Sequence, residues 1–193
     1  MSAEYNDTFI NELTTFFTRR NEGLTFIGQT ILTGSVTSIT FSAIPDYFRH
    51  LFIECQLRTD RAAEEDTALL RFNADSGANY DRQQLYVNAA TPAGTVVRAT
   101  TATWGVVAEA ANSRASNFAP GIIFIPFYKE TNAEKWLISL SAVYGDVSAD
   151  ADMFSIFRSS RWRNTTTITS ITLLPSVGPN FVSGSKVNLY GVG

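Results

Sequence analysis

His50-Leu51-Phe52-Ile53-Glu54-Cys55-Gln56-Leu57-Arg58 alternates without a break. Leu51, Ile53, Cys55 and Leu57 share one side, while His50, Phe52, Glu54, Gln56 and Arg58 share the other. Side chains on a strand alternate with period two, so this stretch is a strand with one face in a core. Cys55 falls on the apolar side and reads as a small core residue. His50 falls on the outward side.

The same reasoning extends along the chain. Trp136, Ile138, Leu140, Ala142 and Tyr144 alternate as strictly. Ile122-Ile123-Phe124-Ile125-Pro126-Phe127 is apolar on both faces, so it is covered on both, by its own sheets or by a neighbouring subunit. Pro126 cannot donate to a ladder and belongs at an edge, a bulge or an end. Further strands are predicted at 24–27, 30–32, 36–41, 68–72, 84–88, 96–99, 166–173 and 186–190. Loops are predicted at 61–67, 73–82, 89–94, 109–120, 146–152 and 175–180. About ten short strands with turn signals between them make an antiparallel sandwich or barrel.

Residues before Gly23 differ. Asn6, Asp7 and Thr8 are helix-capping types, and Phe9, Ile10, Leu13, Phe16 and Phe17 then fall at helical spacing. The spacing predicts a short amphipathic helix or arm over 1–22, ahead of one sandwich domain over 23–193. Its apolar stripe packs either on its own sandwich or on a partner chain. The Met1–Asp7 start carries no basic or apolar leader pattern, so it reads as no signal peptide.

Composition narrows the class. The 193 residues carry only 17% charged side chains, with 14 Phe and 7 Tyr, and are rich in Thr and Ser. That favours pleated strands and excludes a coiled coil, a collagen or a disordered tail. The net charge is −3 and the pI about 5.2, which argues against nucleic acid as a partner. No apolar run approaches a membrane span. One cysteine allows no internal disulfide, so the chain is expected to fold in a cytoplasm, or at least without oxidising conditions.

Catalytic chemistry finds little support. His50 is the single histidine and has no nucleophile motif beside it. Glu64, Glu65, Asp66, Asp75, Asp81, Asp146, Asp150 and Asp152 fall in predicted polar loops and read as solvated rather than as a glycosidase pair. The loop Asn73-Ala74-Asp75-Ser76-Gly77-Ala78-Asn79-Tyr80-Asp81 alternates oxygen ligands, but its spacing is not that of an EF-hand, and it reads as turns. No glycine-rich phosphate loop is present, and no cofactor or metal is expected. Phe157-Arg158-Ser159-Ser160-Arg161-Trp162-Arg163 is the one dense basic stretch. Arg158, Arg161, Trp162 and Arg163 are candidate partner-binding residues, suited to acidic patches on a protein.

Three blocks then resemble a family. Ser38-Ile39-Thr40-Phe41-Ser42-Ala43-Ile44-Pro45 with Tyr47 and His50-Leu51 is the first. Arg71-Phe72-Asn73-Ala74-Asp75-Ser76-Gly77-Ala78-Asn79-Tyr80 is the second. The third runs from Ile168-Thr169-Ser170-Ile171-Thr172 through Asn180-Phe181 and Gly184-Ser185 to Leu189-Tyr190-Gly191. In this order they resemble small virion structural proteins of tailed phages. The resemblance implies a jelly-roll-like sandwich, a homotrimer, a place on the virion and no enzymatic activity. It implies a head decoration (cement) protein on the capsid surface, with the major capsid protein as partner. The alternative is a tail or fibre subunit that binds host glycans through aromatics such as Trp104 or Tyr128. In either case Phe9, Ile10, Leu13, Phe16 and Phe17 are candidate docking residues.

Overall fold

The computed structural model describes residues 23–144 and 153–193, and every regular element among them is a strand. In chain order these are β1 (Leu24–Ile31), β2 (Ile39–Phe41), β3 (His50–Leu57), β4 (Glu65–Phe72), β5 (Tyr80–Asn88), β6 (Thr91–Thr100), β7 (Thr103–Glu109), β8 (Ala119–Ile125), β9 (Lys135–Tyr144), β10 (Met153–Trp162), β11 (Ile171–Pro175) and β12 (Lys186–Val192). The large sheet has eight strands, ordered β1-β12-β3-β8-β9-β10-β5-β6; the small sheet has four, ordered β2-β11-β4-β7. The first and last strands pair, Leu24 opposite Val192 and Ile31 opposite Lys186. The fold is an all-β, jelly-roll-like antiparallel sandwich. The predicted N-terminal helix or arm, with Phe9, Ile10, Leu13, Phe16 and Phe17, lies outside the described residues.

The core lies between the sheets. Leu51, Ile53, Cys55 and Leu57 of β3 are buried with Ile123 and Ile125 of β8, Leu70 and Phe72 of β4, and Ile171 and Leu173 of β11. The apolar rows that alternation assigns to these strands are the rows that meet. Cys55 sits among them, and burial, aided by Glu54, pushes its thiol up to about 12. At that value the thiolate is negligible, and the side chain acts as a small apolar filler. Where β7 passes under β8 the sheets approach closely. A Cβ on Gly121 of β8 would lie 2.6 Å from Val106 Cγ1 of β7. Ser139 Oγ of β9 donates to the Gly105 carbonyl at 2.5 Å across the same seam.

Several elements differ from the sequence expectation. Predicted strands at 24–27 and 30–32 are one strand, β1, with a bulge between Phe26 and Gly28. The predicted loop at 89–94 is a tight hairpin, since Asn88 already pairs with Thr91. Ala89 turns it in the left-handed region, at φ 51°, which alanine rarely adopts and composition therefore does not announce. Strands β7 and β10 carry no alternating apolar signature. In β7 five of the last six positions are buried, so no polar face marks it. In β10 the inward row contains Arg158 and Ser160.

The loops are closed by side chains. Arg58 Nη1 donates to Ser113 Oγ and to the Arg114 and Asn117 carbonyls at 2.9–3.0 Å. Its Nη2 reaches the Ser113 carbonyl at 3.0 Å, and one guanidinium thus holds the 109–120 loop. Lys135, buried at the start of β9, donates to the carbonyls of Glu130, Ala133 and Thr165.

Candidate functional site

β10 decides the fate of the basic stretch. Its residues alternate, so Arg158, Ser160 and Trp162 point to the core side and Phe157, Ser159 and Arg161 point away. Trp162 is 1% exposed and Arg158 3%. Trp162 stacks on Tyr80 at 6.3 Å and 15°, and its Nε1 donates to Asp75 Oδ2 at 2.7 Å. Arg161 instead lies on the outer face, with ion pairs to Asp81 at 2.5 Å and Glu134 at 3.2 Å. Arg163, just past the strand, donates to the Ala78 carbonyl and stands 3.8 Å from Asp81. The expected surface cluster is therefore corrected: Arg158 and Trp162 are interior, and Arg161 and Arg163 are spent largely on Asp81.

Of the carboxylates predicted as solvated, Asp66, Asp75 and Asp81 are structural. Asp66 is 1% exposed; its Oδ2 accepts from Thr59 Oγ1 and the Gly178 amide, its Oδ1 from the Thr67 amide. The Asn73–Asp81 loop is held by its own side chains, as the turn reading has it. Asp75 accepts from Gly77 N, Asn79 Nδ2 and Trp162 Nε1. Asn73 Oδ1 accepts from the Thr169 and Ser170 amides. Asp146, Asp150 and Asp152 lie outside the described residues. His50 Nδ1 accepts from the Phe127 amide at 3.0 Å, and burial, with Arg49 beside it, holds the ring below its ordinary pKa. It is a neutral acceptor that secures the end of β8. Tyr128, offered above as an aromatic for glycan contact, is instead fully buried, and its hydroxyl donates to the Pro45 carbonyl.

Acid sensitivity follows from two of these carboxylates. The hydrogen bond from Arg161 holds Asp81 below the usual carboxylate range, against a smaller opposing effect of burial. Burial pushes Asp75 up, but the bonds from Trp162, Asn79 and Gly77 outweigh it and hold it low. Folded values below the unfolded ~3.9 mean that this stabilisation is full above that value and is lost as pH falls through the folded pKa. The melting temperature therefore drops below about pH 4. In Asp81→Asn that acid-side fall is shallower; a scan from neutral to acid pH that gives parallel curves for both proteins contradicts the assignment.

The outer face of the large sheet is the most unusual surface. Trp136, Ile138, Leu140 and Tyr144 of β9, the strictly alternating set, all point outward and are 42–56% exposed. The ladder places them in rows. Phe26, Tyr190, Phe52, Phe124 and Ile138 stand opposite one another across five consecutive strands. The next row is Ile122, Leu140, Phe157 and Leu85. Strands lie about 4.8 Å apart, so the two rows together span most of the ~34 Å width of the sheet. Phe26 meets Tyr190 edge-on at 5.9 Å. Where the second row sags, a shallow depression of about 510 Å³ is lined by Leu85, Val87, Pro120, Ile122, Leu140 and Phe157. In β8, Ile123 and Ile125 face the core, while Ile122 on the outer side is 39% exposed, so the described residues cover one of the two faces that the sequence reading expects to be covered. Charges near these rows are few: Glu54 flanks Ile122, and Arg161 lies at the margin in its ion pairs. Monomeric proteins rarely leave so long an apolar strip in water.

No family model matches this sequence, and no curated protein matches it. Three solved structures are similar in fold. An exo-inulinase from Aspergillus awamori shares 9% identity over 87% of this chain, at a TM-score of 0.41. This chain spans 29% of that enzyme's length. The galectin LEC-6 from Caenorhabditis elegans shares 10% over 89% of this chain and 99% of its own, at 0.30. Scytalido-glutamic peptidase shares 10% over 76% of this chain and 66% of its own, at 0.30. These likenesses are to the sandwich alone.

Proposed function

We propose that the chain is a non-enzymatic structural subunit that self-associates through the outer face of its large sheet, and that its setting is the virion of a tailed phage. The observation that carries the first part is the exposed apolar pair of rows from Phe26 to Leu85. A face with few charges is suited to another copy of itself, because it offers no charge pattern for a distinct partner to read. Three copies with this face turned to a common axis bury it and leave the small sheets outward. The phage setting rests on the three blocks of resemblance, and a capsid decoration protein is the reading favoured within it. Such a protein acts by mass action: what binds only the assembled shell stabilises the shell. Asp66, Asp75, Asp81 and His50 are engaged in internal hydrogen bonds.

The test separates folding from attachment. Residues 1–22 carry the stripe Phe9, Ile10, Leu13, Phe16 and Phe17 ahead of β1, and each such side chain is worth ~1.5–3 kcal/mol when fully buried. A protein beginning at residue 23 is expected to keep its β-sheet circular dichroism and nearly its melting temperature, yet to lose binding to capsids that lack it. Undiminished decoration by the truncated protein ends the docking role of the stripe. Copy number in purified virions tests the setting. Hundreds per particle fit a cement protein, a handful fit a tail subunit, and none removes the virion reading.

A further inference from the structure

A second feature lies on the other side of the large sheet, away from the face used for assembly. β7 is the edge strand of the small sheet, and the large sheet continues past it to β5 and β6. Under that overhang is a cleft of about 200 Å³ lined by Glu65, Thr67, Gln84, Tyr86, Trp104 and Arg158, among others. Trp104 is only partly exposed there, because two guanidinium groups cover it. The carbon of Arg82 stands 4.1 Å from the ring centre and that of Arg158 stands 5.5 Å away.

These two cations are incompletely paired. Arg158 is 3% exposed. Its Nε donates to Gln84 Oε1 at 3.1 Å and its Nη2 to Thr67 Oγ1 at 3.3 Å, both neutral acceptors. Its Nη1 and the Nε of Arg82 are buried with no acceptor. Neither arginine forms an ion pair among the described residues. Glu65 lines the same cleft and attracts Arg158 without closing an ion pair; its own burial raises its pKa, and Arg158 and Arg61 oppose that rise. A buried guanidinium is costly unless hydrogen bonds and an opposite charge compensate it, and two such groups over one indole also repel.

We propose that this cleft is a binding site for a small carboxylate, drawn to the Arg158 guanidinium beside Trp104. A carboxylate supplies what is missing: a planar anion whose oxygens match guanidinium donors. The volume is below the ~300–1,000 Å³ of clefts that take drug-sized ligands, so one acid group on one small body enters. Gln84 and Thr67 orient the Arg158 guanidinium, and Tyr86 and Trp104 offer aromatic surface to the body of the ligand. The acid group can be carried by a uronic sugar or by an acidic amino-acid side chain.

Calorimetric titration of the full-length protein with sodium glucuronate, with N-acetylglutamic acid amide and with glucose tests this. At least one acid is expected to bind about tenfold or more tightly than glucose, and the tighter of the two acids identifies the carrier. Arg158→Gln is expected to erase that preference. Because Arg158 is buried, Glu65→Gln provides a second variant at the cleft wall. It removes the competing carboxylate and is expected to tighten acid binding several-fold. Absence of binding by both acids overturns the site. So does equal binding of glucose, or acid binding unchanged in both variants. Self-association is measured separately, and its presence or absence leaves this result untouched.

Discussion

Leu140→Glu combined with Phe157→Glu is expected to turn an assembled protein into monomers without unfolding it. The two residues stand opposite one another on β9 and β10, in the middle of the outer apolar rows. In the isolated chain they are 50% and 43% exposed, so a carboxylate at either position reaches water and the sandwich loses little. In an assembly that covers the face, the same substitutions remove two large apolar side chains and desolvate two charges. Full burial of such a side chain is worth ~1.5–3 kcal/mol, and each is already half-buried in the isolated chain, so the loss is about 1.5–3 kcal/mol for the pair before any cost of the charges. The dissociation constant therefore rises by roughly ten- to a hundredfold from burial alone, and further with the charges. Sedimentation equilibrium over a wide concentration range measures this directly. A wild-type protein that is monomeric at tens of micromolar contradicts self-association through this face. A double variant with the wild-type mass contradicts the choice of face.

Trp162→Ala is expected to produce the largest loss of stability among single aromatic substitutions. The indole is 1% exposed, stacks on Tyr80, lies 5.6 Å from Phe72 and donates to Asp75. Emptying such a site costs about 3–5 kcal/mol. In a chain of this size that lowers the melting temperature by roughly 6–20 °C. The effect should spread into the Asn73–Asp81 loop, because the Asp75 carboxylate loses one of its three donors. Trp136→Ala is the internal control. Trp136 lies on the outer face and is 49% exposed, so its loss should cost the isolated chain only a fraction as much. Thermal melts of the two variants at a concentration where the chain is monomeric make the comparison. Equal losses would contradict the opposite placement of the two tryptophans.

The two tryptophans also show how far the sequence reaches. The all-β class was legible, because runs such as His50–Leu57 and Trp136–Tyr144 alternate with the period of a pleated strand. The core row of β3 was legible for the same reason. Ile122 was legible as a residue needing cover, because both faces of its strand are apolar. The carboxylates of Asp66 and Asp75 were not legible as structural groups. Beside local donors, each takes one from far along the chain, Gly178 for Asp66 at 112 positions and Trp162 for Asp75 at 87. Arg158 and Trp162 were read with Arg161 and Arg163 as one basic cluster, because proximity along the chain was the available measure. A strand sends adjacent residues to opposite faces, so the cluster was divided as soon as residues 153–162 formed β10.

Period two establishes by itself that a strand has two unlike faces, and composition establishes that this chain folds as such strands. Neither says which face a sheet turns inward. On β3 the apolar row Leu51, Ile53, Cys55 and Leu57 meets the small sheet and becomes core. On β9 the equally apolar row Trp136, Ile138 and Leu140 points to water, and Lys135, Leu137 and Ser139 lie beneath it. The reason is space. β7 runs so close under β8 that Gly121 has no room for a Cβ beside Val106, and Ser139 of β9 bonds the Gly105 carbonyl across the same seam, which admits a serine where an isoleucine or tryptophan would collide. Only the packing of one sheet on the other settled this, and it turned an apparent core strand into the centre of the exposed face.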